Sequence, residues 1–171
     1  MEHRSRTMIL ALALLGTGTA AVQAQSAPNP ACALLSAADL QKATGKPYDE
    51  GDEGDPMGEG AGGGASCQWG DPVGQGAPMI SVVYIPRKGG KGYTEINRER
   101  RLLPGCTRQP VSGLGDEAYI ETCPKNRGPI AFIKTGPNDL VVQMDAVAPA
   151  TAASVKPTLV AVAKSVVAKA R

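Results

Sequence analysis

Over residues 140–147 apolar and polar side chains alternate as they do along a strand. Leu140, Val142, Met144 and Ala146 share one face, and Val141, Gln143, Asp145 and Val147 form a second, more mixed face. Ile130–Lys134 precedes this run with "TGPND" between, so a β-hairpin is predicted with strands at 130–134 and 140–147. An apolar face of this kind needs a helix against it. The closing run "ATAASVKPTLVAVAKSVVAKAR" supplies one, with Val155, Leu159, Val162, Val166 and Ala170 at helical spacing. Ser154 is the expected N-cap, which puts Pro157 in the first turn, where its missing N–H is tolerated. Lys164, Lys169 and Arg171 suit the negative end of the helix dipole. The apolar residues are small and the basic face is thin, which favours core packing over a membrane-surface helix.

Upstream the pattern is more broken. In "CALLSAADLQKATGKP", Ser36 and Asp39 stand close to a capping box, Leu35 and Leu40 have staple spacing, and Gly45 and Pro47 end the element. A helix is predicted at 37–44, with Leu34, Leu35, Leu40 and Ala43 turned inward. Residues 49–65, "DEGDEGDPMGEGAGGGA", are acidic and glycine-rich, and read as a disordered, mobile loop. "SCQWG" reads as a short strand carrying the single tryptophan, Trp69, into the core. "PMISVVYIP" at 78–86 is a strand by its β-branched content. "RKGGKGY" is a basic turn, and "YTEINRERR" at 93–101 a short, charged, solvated helix in which Glu95 is spaced to pair with Arg98. In "VSGLGDEAYIETC", Gly113 and Gly115 make a turn that feeds a strand at 118–122.

The first residues change the picture of where the chain acts. Arg4 and Arg6 precede an apolar run from Met8 to Leu15, and Val22-Gln23-Ala24 fits a cleavage site. Residues 1–24 read as a secretory signal peptide, too short in its apolar run to span a bilayer. A flexible lead at 25–31 and a single domain at 32–171 follow, in the periplasm or secreted. Cys32 lacks the preceding pattern of a lipid anchor, and no later stretch is long enough to span a membrane, so no membrane insertion is expected after signal cleavage. The 171-residue chain carries a formal charge of +2 at pH 7, and loss of Glu2, Arg4 and Arg6 leaves it near neutral, which gives no argument for nucleic acid. The only histidine is His3, which departs with the leader. The mature chain therefore cannot run histidine-dependent nucleophilic catalysis or build a histidine-ligated metal site.

Four cysteines remain: Cys32, Cys67, Cys106 and Cys123. An even number in an exported chain argues for disulfides. Three pairings are possible. Cys32–Cys67 with Cys106–Cys123 is preferred, because the first ties the N-terminal helix to a strand and the second closes a short loop. Without C-x-x-C spacing, a four-cysteine metal site is disfavoured.

Candidate chemistry is thin. The basic glycine turn lacks the Ser or Thr of a Walker loop, and the turn at 111–115 opens a strand rather than a helix, so neither cradles phosphate. The main expectation is a non-enzymatic binding or accessory domain without cofactor or metal. Its binding surface would be an exposed sheet face and rim of Tyr84, Tyr93, Gln143 and Asp145, with Arg87, Lys88 and Lys91. The partner would be a protein or small molecule of the cell envelope. One alternative is an ion- or envelope-binding role for the acidic loop, through Asp49, Glu50, Asp52, Glu53, Asp55 and Glu59. Another is a carboxylate-dependent hydrolase using Asp116, Glu117, Glu121 or Asp145.

Helix, strands, short helix, strands and long helix make an α+β domain, an antiparallel sheet with the N-terminal and C-terminal helices packed on one face. The stretches "CALLSAADLQKATG", "SCQWG" and "VSGLGDEAYI", with the closing alanine-valine helix, resemble a family of small bacterial extracytoplasmic domains of unknown function. These are often lipoproteins of actinobacteria and have a PsbP-like α+β fold. The resemblance covers about residues 30–170 and its motifs are structural. It implies a PsbP-like sheet and supports pairing Cys32 with Cys67. It carries over no catalytic residue, and the chain departs from the group in lacking a lipidated cysteine.

Overall fold

The computed structural model describes residues 28–57, 63–71, 74, 76–124, 128–147 and 150–171, without the side chains of 55–57. The expected leader at 1–24 lies outside the described residues. A 3-10 turn at Cys32–Leu34 leads into α1 (Ala37–Thr44). Then follow β1 (Asp52–Met57), β2 (Gly64–Trp69), β3 (Ile80–Pro86), α2 (Tyr93–Glu99), β4 (Thr107–Pro110), β5 (Glu117–Thr122), β6 (Ile130–Thr135), β7 (Asn138–Met144) and α3 (Ala152–Ala170). The chain is α+β, with one seven-stranded sheet in the order β1-β2-β3-β7-β6-β5-β4. Every neighbouring pair is antiparallel. Two meanders, β1–β3 and β4–β7, are joined where β3 pairs with β7.

Alternation sorts the side chains onto two faces. On one, Cys67, Ile80, Val82, Ala118, Ile120, Ala131, Ile133, Leu140, Val142 and Met144 are buried with Leu34, Leu35 and Leu40 of the N-terminal segment and Leu159, Val162, Ala163, Val166 and Val167 of α3. This is the main core; α3 lies on β6 and β7 and against α1. The other face has a smaller cluster of Val83, Ile85, Tyr119, Phe132 and Val141, against which Tyr93 of α2 packs.

Local signals account for the helices. Ser36 caps α1 with a complete capping box: its Oγ accepts from the Asp39 N–H, and Asp39 accepts from the Ser36 N–H. Gly45 closes the helix with a left-handed backbone, φ 71°. At α3 the expectation shifts by a turn. Thr151 is the N-cap and Ser154 its reciprocal partner three residues on, so Pro157 lies inside the helix and not in its first turn. The upstream cap wins because Thr151 and Ser154 satisfy one another's backbone donors.

Other differences lie at the sheet's margins. Residues 52–57 and 64–65, expected within a mobile loop, belong to β1 and β2. Glycine is what permits this pairing. A Cβ at Gly54 would run into the Ser66 side chain, and one at Gly64 into Ile85 and the Tyr84 carbonyl. The lead is also fixed where it is described: Asn29 donates to the Ser66 carbonyl, accepts from the Ala31 N–H, and Ala31 is fully buried. The hairpin turn is tighter than "TGPND", since Thr135 pairs with Asn138 and only Gly136 and Pro137 lie between. Strand β4 carried no recognisable signal. Among the described residues no helix is long and apolar enough to cross a membrane.

Both preferred disulfides are formed, Cys32–Cys67 and Cys106–Cys123, with sequence separations of 35 and 17. By loop-closure entropy each restricts the unfolded chain by roughly 3–4 kcal/mol, the longer loop more. We expect Cys32→Ser/Cys67→Ser to lose more stability than Cys106→Ser/Cys123→Ser in urea unfolding; the reverse order would assign the second bridge a role beyond loop closure.

A second expectation concerns pH. The Lys169 ammonium, 2.6 Å from Asp39, together with the Ser36 hydrogen bonds, holds the Asp39 carboxyl down to about 2. A depressed carboxyl stabilises the fold above its unfolded value and stops doing so as pH falls through the folded one. Asp39→Asn should therefore melt roughly 2–4 °C below the parent at pH 6, a loss of about 1 kcal/mol. That gap should close between about pH 4 and pH 2. Thermal melts across this range check it, and a gap independent of pH would assign the loss to the cap alone.

Candidate functional site

Register places two rows side by side on the second sheet face. Across β6, β7, β3 and β2 one row reads Phe132, Val141, Val83, Ser66, and the next reads Ile130, Gln143, Ser81, Gln68. These eight residues, with Tyr93 as a wall, line an open groove of about 240 Å³. The first row is largely apolar and the second largely carboxamide and hydroxyl. None of the nine lining residues carries a charge. Gln143 donates from Nε2 to Asp145 Oδ1 at 3.0 Å, which turns its Oε1 into an available acceptor. Phe132 stacks on Tyr119 at 5.0 Å between ring centroids and on Tyr93 at 6.3 Å.

The wall is α2, and charge holds it. At its N-terminus Asp139, fully buried on β7, accepts from the Tyr93 N–H at 2.8 Å. Arg87 lies 3.7 Å from the same carboxylate and donates to Glu95 at 2.8 Å. Glu95 also pairs with Lys134 at 3.2 Å. The Gly92 N–H and then the Lys134 ammonium hold the Glu95 carboxyl below its usual range. At the C-terminus Arg108 donates to the carbonyls of Asn97 and Arg98 and to Glu121, which also pairs with Arg100. The Arg108 guanidinium lies 5.0 Å over the Tyr119 ring. Tyr119 donates to the Thr94 carbonyl, and burial pushes its hydroxyl up to about 12. An anion at one helix end and a cation at the other match the helix dipole. The helix expected at 93–101 as a solvated one ends at Glu99 and is bound to the sheet by its charges, and Glu95 pairs with Arg87 and Lys134 instead of Arg98, which meets Glu117.

The residues expected to form one rim are divided. Tyr93 and Gln143 line the groove, and Asp145 orients Gln143. Tyr84 is on the opposite face, packed against the main core and donating to Asn138 Oδ1 at 2.8 Å, because it shares the phase of Ile80 and Val82. Arg87 anchors α2, Lys91 pairs with Glu99 at 2.6 Å, and Lys88 is exposed. The other seven lining residues, Ser66, Gln68 and Ser81 with Val83, Ile130, Phe132 and Val141, were not anticipated. The Ser81/Val83 and Gln143/Val141 alternations were legible, but the pairing that aligns them was not.

The carboxylates of the hydrolase alternative do not converge. Asp116 accepts from the Gly136 N–H at 2.7 Å, Glu117 meets Arg98, Glu121 lies between Arg100 and Arg108, and Asp145 accepts from Gln143. Of the acidic loop, Glu59 and the Asp55 side chain lie outside the described residues, while Asp52 and Glu53 point to opposite sides of β1. Among the described residues the one cluster with metal-ligand proximity is Cys106, Glu121 and Cys123, whose two sulfurs are spent on a disulfide. Larger clefts of about 460 and 430 Å³ border turns at Gly105 and Gly136; the first abuts segments outside the described residues. Comparison with protein-family models, curated proteins and solved structures finds no match.

The clamp on α2 leaves no room at Gly92, where a Cβ would fall against Asp139 Oδ2 and Arg87 Nε. Gly92→Ala should cost about 1–3 kcal/mol and speed hydrogen exchange at the Tyr93 amide. Unaltered exchange there would show that Asp139 does not hold the helix.

Proposed function

We propose that this chain is a non-enzymatic binding or accessory domain of the bacterial envelope, periplasmic or secreted, and that its ligand sits in the groove beneath Tyr93. The groove carries the reading: a concave, uncharged surface with convergent polar groups over an apolar floor is the usual form of a small-molecule site. Two disulfides, with no free cysteine among the described residues, support an oxidising compartment, in keeping with the expected signal peptide. The absence of histidine beyond His3 supports binding over catalysis. The sequence resemblance to the extracytoplasmic PsbP-like group fits the same role and transfers no ligand.

Native mass spectrometry of the chain purified gently from the exporting cell tests this. The expected result is a retained small molecule that Gln143→Ala releases while both disulfides stay intact. A molecule retained equally by the variant would move the site away from the groove.

A further inference from the structure

The groove's chemistry narrows its ligand, and we infer, resting on the binding reading above, that it takes a neutral saccharide laid across the strands. The polar row, Gln68, Ser81 and Gln143, runs perpendicular to β2, β3 and β7. Its members stand at steps of one strand spacing, about 4.8 Å, comparable with the length of a pyranose ring. Carboxamides and a hydroxyl each both donate and accept, as a ring hydroxyl requires. Gln143 is already turned by Asp145 so that its Oε1 accepts. Beside them the half-buried Tyr93 and Ile130, over the margins of the buried Phe132, Val141 and Val83, give the groove an apolar side for the C–H face of a sugar.

Other ligand classes fit less well. An acyl chain would cover Gln68, Ser81 and Gln143 without partners, at the cost of desolvating each. An anion would find no cation in the lining, because Arg87 and Lys91 are paired with Glu95 and Glu99 around α2. A cation would find no carboxylate there, since Asp145 lies outside the lining residues and takes up Gln143. At about 240 Å³ the groove is smaller than the roughly 300–1,000 Å³ of drug-sized clefts. It suits one or two rings and not a branched glycan.

The test is NMR titration of the purified chain with cellobiose and maltose, and with decanoate as the apolar control. Either saccharide should shift the side-chain amides of Gln68 and Gln143 and the Tyr93 resonances. Gln68→Ala and Gln143→Ala should each weaken binding roughly 2- to 13-fold, the loss of one neutral hydrogen bond. Gln68 is exposed, so its variant keeps the fold and melts with the parent. Shifts of the same resonances by decanoate alone would overturn the saccharide and leave the groove as a binding site. Silence from every probe at these residues would remove both, and saccharide binding unaffected by either variant would place the sugar elsewhere.

Discussion

Strand β7 has to be covered on both sides. It joins the two meanders, pairing with β3 along one edge and β6 along the other, and six of its seven residues are buried. One side is met in the ordinary way, by α3 over Leu140, Val142 and Met144. The other side carries Asp139, fully buried and ionisable, next to Val141. A buried carboxylate is tolerated only with partners, and these come from the segment between β3 and β4: the Tyr93 N–H and Arg87. The position of α2 therefore follows Asp139 Oδ2, the oxygen that the Tyr93 N–H and Arg87 meet, while Oδ1 is buried with no hydrogen-bond partner among the described residues.

Such an attachment differs in kind from that of α3. Five α3 side chains are buried in the core, whereas α2 buries only Thr94 and leaves Ile96 exposed. Ion pairs and capping hydrogen bonds position α2, and they specify a geometry without sealing an area. Because α2 is seven residues long and pinned over Asp139 and Tyr119, it roofs one part of the face and stops. The Gln143–Ser81–Gln68 row beyond it stays open to solvent. The groove is what remains of a sheet face after a short helix has covered its buried charge.

The sequence was most legible where a strand has one wet or apolar face to contrast with the other. The β6–β7 hairpin, α1 with its Ser36 cap, and the apolar stripe of α3 could all be read, because each repeats a period against a core. Strands β1 and β4 could not. They are the sheet's two edges, with sequences DEGDPM and TRQP, and edge strands carry polar side chains and proline where inner ones carry valine. Glycines that looked like signs of disorder at 54 and 64 are instead points of close contact between strands. Gln143 and Asp145 were legible as candidates because they alternate out of phase with the core, and Tyr93 as an aromatic after the basic glycine turn. Gln68 and Ser81 were not, since their place beside Gln143 depends on pairing between segments some sixty residues apart, which local pattern does not encode.

The disulfides take on a second meaning in this light. Cys67 points into the main core, but its neighbours Ser66 and Gln68 point to the groove, so the bond to Cys32 fixes the strand that forms the groove's far end. Asn29, three residues before Cys32, reinforces this by donating to the Ser66 carbonyl. At the opposite margin Cys106–Cys123 closes the β4–β5 pair one step beyond Thr107–Thr122. That holds in register the Arg108 and Glu121 that secure the C-terminus of α2. One bridge thus braces the open end of the groove and the other braces its wall. Oxidation does more than restrict the unfolded chain: it ties β2, next to one edge strand, to the N-terminal segment, and edge strand β4 to the end of β5, with the groove between them.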